Sequence, residues 1–593
     1  MNELECRESS EDAMSTYYEE IARNHREDYG KKDGHLRIYR RLYADKTHFV
    51  YELIQNADDA KSKHLTLMLR KKELLIWNDG RPFNKDDVKS ICSIGSSEKD
   101  LTQIGTFGIG FKAVYAYTDL PEIYSGEECF RIRRFVEPEG VDEVPSEVGG
   151  WLEHGKTVFR LPFKADVDLE PLRRRLEALG HHTLLFLRHL DKIIWHDERD
   201  EQKGIYSRCR STCDNIPAAQ HVKLPDQTWI VFRKKVAPPP NVIADMLRIA
   251  EDDEEKLRIR QSSQSKQSIE VAFRLQDSQI VSTDSCVLFA YLPTEKETHL
   301  RFLIQARYQT TPARDNIPTD SPWNVWLIQE TANFLPEILS QVKAANLLTP
   351  AFFDVLPIDN DGVPGLFQPV AEALKQTLIN GEFIPTDTCR YAHPKHVFHP
   401  HAEPLRKLLD DRDLAELTGV ESATWLHHDI RDIKEHNRRF SAVRSAGVQE
   451  VNIGQLVSWL TQKEEVWFEN KSNAWMQSLY TYLSRQKAEQ GRLKKIPLVR
   501  LENGKHVCAT DDVVFFPPEQ EEEVEELKPF LDELPILRQS FLEGEERGDT
   551  KSFMEAMGVQ PLHPAKVIRK FLLPQYQNPE LPDRDQARIL IAP

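Results

Sequence analysis

Three glycines, Gly105, Gly108 and Gly110, fall in the stretch QIGTFGIGFKAVYAYTD (103–119), just ahead of an apolar run that opens at Phe111. Glycine adopts φ > 0 without cost and lets the backbone approach a ligand closely. Consecutive N–H groups of such a loop, with Thr106, Phe107 and Ile109 between the glycines, can therefore wrap a phosphate where a helix begins. The stretch does not follow the first strand of a βαβ unit, which disfavours a dinucleotide fold, and no Gly-Lys-Ser/Thr ending makes it a P-loop.

A second segment, HFVYELIQNADDA (48–60), reads as a helix. At 3.6 residues per turn Phe49, Val50, Leu53, Ile54, Ala57 and Ala60 share an apolar arc. Glu52 and Asn56 are four apart and Asp59 follows three later, so they line a neighbouring face. One reading is a solvated face. The other is a carboxylate pair with an amide between, able to hold a hydrated cation and activate a water.

Between these two segments LTLMLRKKELLIWNDG predicts a β-hairpin turning at Lys71–Lys72 and ending at Asp79 and Gly80. Asn84 predicts a helix cap, with Asp86 and Asp87 in the first turn. Strands are expected at TVFRLPF and at 228–236, 268–276, 287–292 and 301–308. A helix-to-strand unit is expected over EPLRRRLEALGHHTLLFLRHLDKIIW, and the charged stretch 251–268 reads as a loop. A helix-rich part starts near Trp323. Within it, 383–400 and 495–517 share Ile-Pro, a polar turn, Val-Phe and Pro. Each follows helical sequence, which suggests a duplicated helix-plus-hairpin module.

At 593 residues the chain exceeds one core, so three or four domains are expected. With 40% apolar and 29% charged residues it has the composition of soluble globular protein. A net charge of −17 argues against a generally basic nucleic-acid surface, leaving nucleic acid to partners or a local patch. No run is apolar enough to span a bilayer, and the N-terminus lacks the order of a signal peptide. The eight scattered cysteines fit reduced thiols in the cytoplasm. The ending ARILIAP, without an evident cap, reads as a truncation or a missing downstream domain.

Taken in order, ELIQNADDA, NDG and IGTFGIGF resemble the three motifs of the GHKL superfamily: gyrase, the ninety-kilodalton heat-shock chaperone, histidine kinases and the mismatch-repair ATPase. HFVYELIQNADDA with FGIGFKAVYAYTDLPEIYSG most resembles the sacsin and NO VEIN type. The likeness is close over about 35–160 and looser through LFAYLPT…FLIQARYQTTPARDNI to about 325. It implies a multidomain α+β chain. A GHKL (Bergerat) α/β sandwich over 1–175 would bind ATP. A transducer-like α+β middle domain would span 176–345, and a mixed, helix-rich region with the two modules 346–593.

By the same resemblance, Glu52 matches the general base that orients the attacking water, and Asn56 the Mg2+ ligand. Asp59 and Ala60 match pocket-lining positions, and Asp79, with Gly80, the acceptor of the adenine amino group. Gly105, Thr106, Phe107, Gly108, Ile109, Gly110 and Phe111 match the loop that cradles the β- and γ-phosphates. Thr157, in GKTVFRLPF, matches the threonine near that aspartate. One departure is plain: Asp79-Gly80 runs into RPF, without the motif's second glycine.

Several residues keep two readings. Arg314 matches an arginine that reaches the γ-phosphate from the middle domain, a type of contact worth about 10³ or more in rate; it equally suits an ion pair with Asp315 or Asp320. Lys112 suits a phosphate contact or a solvated helix position, while Ser96, Ser97 and Lys99 fall in the expected lid without a role. His393, His396, His399 and His401, near Cys389, match no zinc spacing, so structural or surface histidines are the simpler account. Cys209 and Cys213 have no second pair. The acidic run 519–527 suits a solvated helix.

The function expected is a slow magnesium-dependent ATPase whose product is a conformational change. It would serve a multi-component system such as prokaryotic antiviral defence. A sacsin-like remodeller of protein clients, or a scaffold with ATP as a structural ligand, are the alternatives. A nucleotide-dependent homodimer and protein partners are implied with it.

Overall fold

The computed structural model describes residues 17–27, 47–93 and 110–569, except 214, 285, 312–314, 509, 511–512, 519–530 and 532. The chain forms two compact units, one of residues 1–377 with 437–442, the other of 378–436 with 443–593.

The first unit holds two eight-stranded sheets. Strands β1 (His64–Leu69) and β2 (Glu73–Asn78) form the expected antiparallel hairpin, Leu69 facing Leu74. The rest of the first sheet comprises β3 (Glu122–Ser125), β4 (Glu128–Arg133), β5 (Glu137–Gly140), β6 (Thr157–Pro162), β7 (Lys192–Asp197) and β8 (Gln202–Ser207), in the order β5-β4-β3-β6-β2-β1-β7-β8. β1 and β7 pair in parallel. Because β7 and β8 complete this sheet, it runs past the boundary expected at residue 175.

Strand alternation sorts the side chains onto two faces. Leu65, Leu67, Leu69, Leu74, Ile76, Ile123, Phe159 and Leu161 point to one side. They form a single core with Phe49, Leu53, Ile54 and Ala57 of the Phe49–Asp59 helix, Val88 of the Lys85–Cys92 helix and Leu172 and Leu176 of the Glu170–Ala178 helix. On the other side Trp77, Tyr124 and Val158 pack against Val148 and Trp151 of the Ser146–Glu153 helix, with Trp77 stacked on Trp151 at 4.4 Å. The Lys85–Cys92 helix starts as its sequence predicts: Asn84 and Asp87 form a reciprocal capping box.

The second sheet comprises β9 (Cys209–Thr212), β10 (Ala219–Lys223), β11 (Thr228–Val236), β12 (Gln267–Gln276), β13 (Gln279–Val281), β14 (Val287–Ala290), β15 (Leu292–Glu297) and β16 (Leu303–Ala306), in the order β15-β14-β16-β12-β11-β10-β9, with β13 beside β12. Its centre is β11 (Thr228–Val236) against β12 (Gln267–Gln276), paired from Thr228↔Leu275 to Val236↔Gln267. The Pro322–Ala344 helix, capped by Ser321, packs on these two strands.

Three expectations are corrected. The stretch 251–268 is largely a helix, Asp253–Ser263, because the Asp252 carboxylate accepts the Glu255 N–H at its start and its residues are mostly straight-chain helix formers. It has little apolar arc, which is why its sequence reads as a loop. The strand 287–292 is broken at Tyr291, whose φ of 66° separates β14 (Val287–Ala290) from β15 (Leu292–Glu297). The segment after the glycine loop is a 3-10 helix, Gly110–Ala116, rather than an α-helix.

The two sheets are knit together by side chains that cross between them. Within 184–190, Leu184, Leu187 and Leu190 enter the first core while Leu185 and Phe186 enter the second. Tyr291 and Leu292, from the second sheet, lie in the first core. Arg188 donates to the Tyr291 hydroxyl and lies over its ring, 4.9 Å from the centroid.

In the second unit Val397–Pro400 is the middle strand of a small parallel sheet, flanked by Thr424–Trp425 and Gln449–Val451. Both echoed segments form two-stranded hairpins, Ile384–Pro385 with Tyr391–Ala392 and Val499–Arg500 with His506–Val507. No helix of the described residues is long and apolar enough to cross a membrane.

The crossing at 184–190 depends on Asp58, which is 0% exposed. Its Oδ1 accepts the His189 and Leu190 N–H groups at 2.7 and 2.8 Å, and its Oδ2 accepts that of Arg188 at 2.9 Å. Asp58→Ala would leave three N–H groups without their acceptor and is expected to cost about 3–5 kcal/mol. An earlier first transition in urea, with faster hydrogen exchange at 188–190, is the expected result.

Candidate functional site

The Phe49–Asp59 helix ends against the exit of β2. The Ala60 carbonyl accepts the Arg81 N–H at 2.8 Å, and a Cβ on Gly80 would lie 2.7 Å from the Ala60 Cβ. Glycine at 80 is therefore required by close approach rather than by a turn. Along the helix, Glu52 is 7% exposed, with its Oε1 4.0 Å from Nε2 of buried His48. Asn56, Asp59 and Ala60 are partly exposed. The reading of this face as simply solvated is thus corrected at Glu52, which packing holds in the interior.

At the same end of the sheet a polar row closes the apolar core. Asn78 continues the Leu74–Ile76 face of β2, and Thr157 lies directly opposite it on β6. Ser125, at the end of β3, shares a hydrogen bond of 2.5 Å with the Thr157 hydroxyl and accepts the Phe83 N–H at 2.9 Å. Asn78, Thr157 and Ser125 are 5%, 2% and 0% exposed. The Asn78 Oδ1 accepts the Gly80 N–H at 2.9 Å.

Asp79, expected to receive an adenine amino group, is turned away from this row. Alternation places it on the face opposite to Asn78. Its Oδ1 accepts from the Ser62 hydroxyl and from the Lys63 and His64 N–H groups, at 2.5, 2.8 and 2.9 Å. Its Oδ2 lies 2.7 Å from His64 Nδ1. Burial alone raises the pKa of this carboxyl; the Ser62 hydroxyl, the His64 ring and the two N–H groups outweigh it and hold the group well below the usual carboxylate range. Asp79 thus ties the turn after the acidic helix to the end of β2. Asn78 and Ser125 were missed because the motif drew attention to its aspartate, although the period-two pattern Leu74, Ile76, Asn78 was legible.

Lys112 takes neither of its expected positions. It is buried, and its ammonium donates to the Ile91 and Phe135 carbonyls at 2.6 and 2.5 Å. Burial pushes its pKa down to about 8. The carbonyl end of the Lys85–Cys92 helix offers it partial negative charge. Phe111 is buried in the first core. Gly105, Thr106, Phe107, Gly108 and Ile109, with Ser96, Ser97 and Lys99, lie outside the described residues, and so do Arg314 and the acidic run 519–527; of Gly110 only the backbone is described.

The histidines of the second unit do not converge. His393 Nδ1 accepts the Lys395 N–H, His396 meets the Ser422 hydroxyl, His401 meets Glu450, and His399 is buried in its strand. His427, His428 and Asp429 do bring ligand atoms within 4.8 Å of one another, but His427 Nδ1 already accepts the Asp429 N–H. Cys209 and Cys213 are free thiols.

Residues 36–133 match the Sacsin domain family. The chain is 25% identical over 609 aligned residues to Protein NO VEIN of Arabidopsis thaliana, covering 90% of this chain and 21% of that protein. It is 24% identical over 417 residues to Sacsin of Homo sapiens, covering 53% of this chain and 9% of that protein. The resemblance to the sacsin and NO VEIN type read from the motifs is shown by these matches. The chain spans about a fifth of the plant relative and under a tenth of the human one. Among solved structures, the N-terminal domain of a DNA repair protein has a TM-score of 0.28 at 8% identity, covering 49% of this chain and 93% of that one. The topoisomerase IV ATP-binding domain of Francisella tularensis has a TM-score of 0.18 at 17% identity, covering 27% and 85%. Neither score carries an argument.

The placement of Asp79 has a pH signature. Asp79→Asn is expected to cost about 1–3 kcal/mol at pH 7, because an amide cannot accept from all four donors and would turn N–H toward N–H. A carboxyl whose folded pKa is depressed stabilises fully above its unfolded pKa, about 4, and loses that contribution as the pH falls toward the folded value. The gap between wild type and variant in urea denaturation should therefore narrow below about pH 4. A gap that stays constant from pH 7 to pH 3 contradicts it.

Proposed function

We propose that this chain is a magnesium-dependent nucleoside triphosphatase, with ATP as the substrate implied by its resemblance, and that it works as a conformational switch. The observation that carries the reading is the burial of Glu52 one helical turn ahead of Asn56, on a helix whose end closes against Gly80 and Arg81, just past Asn78. A carboxylate kept in the interior one helical turn from an amide is suited to orienting a water and taking its proton. The His48 ring beside Glu52 restricts where the carboxylate can turn.

The oxygen donors on this face fit magnesium: the Asn56 carboxamide oxygen would hold the ion, with Asp59 nearby on the same face. When bound, the ion would neutralise charge on the phosphate oxygens. The polar row at the ends of β2, β6 and β3 would receive the base, and the glycine loop 105–110 the phosphates. Glu52 and Asn56 then share one face because proton acceptor and metal ligand must both address one phosphate.

The switch reading draws support from the junction of the two sheets. Tyr291 and Leu292 sit in the core that carries the acidic helix, so a shift of that helix on nucleotide binding would be felt by the second sheet. Such coupling needs a bistable contact, and the Arg188–Tyr291 pair at a φ > 0 residue is the candidate.

Glu52→Ala is expected to bind MgATP near wild-type affinity and to hydrolyse it at least ~10²-fold more slowly. Steady-state phosphate release beside equilibrium nucleotide binding checks this. A variant that turns over at the wild-type rate removes Glu52 from the role.

A further inference from the structure

We propose that His427, His428 and Asp429 form a zinc site in the second unit, with a fourth position for water and with Asp387 behind it as the group that orients His428. The inference is independent of the nucleotide reading.

Backbone contacts build the turn that carries these residues. It follows the strand Thr424–Trp425, and Leu426 bridges Thr386 in the hairpin that begins at Ile384–Pro385. The Asp387 N–H donates to the Trp425 carbonyl at 3.1 Å, and the His427 N–H to that of Pro385 at 3.0 Å. The turn is therefore pinned to the neighbouring hairpin on both sides of Leu426.

Hydrogen bonds fix where the lone pairs lie. Asp387 Oδ1 accepts the His428 backbone N–H at 2.8 Å and stands 3.0 Å from His428 Nδ1, while its Oδ2 accepts from Arg406. A carboxylate in this setting only accepts, so Nδ1 carries the proton and the neutral ring has its lone pair on Nε2. His427 Nδ1 accepts the Asp429 N–H at 3.1 Å, so its lone pair is on Nδ1. Burial, and then the His428 ring stacked 4.4 Å away, push the His427 pKa below that of an ordinary histidine.

These two nitrogens flank one carboxylate. His428 Nε2 is 3.8 Å from Asp429 Oδ1, and His427 Nδ1 is 3.9 Å from Asp429 Oδ2. Among the described residues no hydrogen bond is donated to the Asp429 carboxylate. Three acceptors grouped in this way call for a cation between them. Two imidazoles and a carboxylate suit zinc, whose bonds of about 2.0–2.2 Å set tetrahedral ligand atoms roughly 3.3 Å apart. A movement of about half an ångström closes the set to that spacing. The His428 and Asp429 side chains, 63% and 54% exposed, are free to make it. A carboxylate holding the far nitrogen of a ligating histidine, as Asp387 holds His428, fixes the tautomer and ring that metal binding needs. The ion takes the His427 lone pair from the Asp429 N–H, which is on an exposed residue where water replaces the bond. The rival occupant is a proton: an imidazolium at His428 would bridge Asp387 and Asp429 without metal.

The test is titration of the full chain, stripped of metal, with zinc against a competing chelator and, separately, with cobalt followed by visible absorption. One equivalent of zinc is expected that His428→Ala and Asp429→Ala each remove. Asp387→Ala, which takes away the orienting acceptor, should weaken it by about 10–100-fold. Cobalt held by nitrogen and oxygen shows ligand-field bands without the thiolate charge-transfer band that cysteines would add. Zinc should also slow hydrogen exchange at 426–430 in the wild type, a readout that decides even where a variant does not fold. No saturable zinc binding overturns the proposal and leaves the proton bridge. An equivalent count that either folded ligand variant retains, or exchange at 426–430 unchanged by zinc, overturns it as well, since the ion is then held elsewhere. Wild-type affinity in a folded Asp387→Ala variant removes Asp387 from its positioning role.

Discussion

One buried carboxylate organises the first unit. Asp58 sits at the end of the acidic helix and accepts three consecutive N–H groups, those of Arg188, His189 and Leu190. A charge in the interior is tolerable only when it is met by donors, and here the donors are backbone groups that would otherwise lack partners. The segment held in this way sends side chains into both cores, so a single anion anchors the helix, the first sheet and the approach of the second. Its neighbours Asn56 and Asp59 are partly exposed because Asp58 has taken the structural position.

The candidate site follows from that anchoring. With the helix end fixed, Ala60 closes on Gly80, and no side chain larger than hydrogen fits between them. The close approach brings the end of the helix that carries Glu52 and Asn56 to the exit of the strand that carries Asn78. An apolar core that ends in a polar row is the expected floor for a ligand with a flat heterocycle and a charged tail. Lys112 contributes from below, through two carbonyls it satisfies in the interior, rather than by reaching a phosphate from where it stands.

Much of this was legible in the residues. The hairpin at 64–78, the Asn84 cap, strand β11 and the helix beginning near Trp323 lie where alternation, capping and propensity put them, since each depends on contacts within a few residues. The charged helix Asp253–Ser263 was not legible, because it buries little apolar surface and periodicity is the signal on which such a reading rests. The break at Tyr291 was not legible either. Its φ > 0 depends on Gln305 accepting its N–H at 2.8 Å and on a core formed by another sheet. Asp79 shows a subtler gap: a motif names residue types in order, whereas the alternation of a strand decides which of two neighbours lies on the core face.

The sequence by itself determined the glycine loop, the Glu52–Asn56 spacing and the strand pattern that ends at Asn78, because these are set by short-range geometry and by residue chemistry. Only the tertiary structure decided the division of labour among the polar groups. It assigned Asp58 to three distant N–H groups, Asp79 to the turn at 62–64, and Lys112 to the end of a neighbouring helix. The physical reason is that a polar side chain in a folded interior is claimed by whichever partner the packing brings within about 3 Å, and that partner can lie far away along the chain.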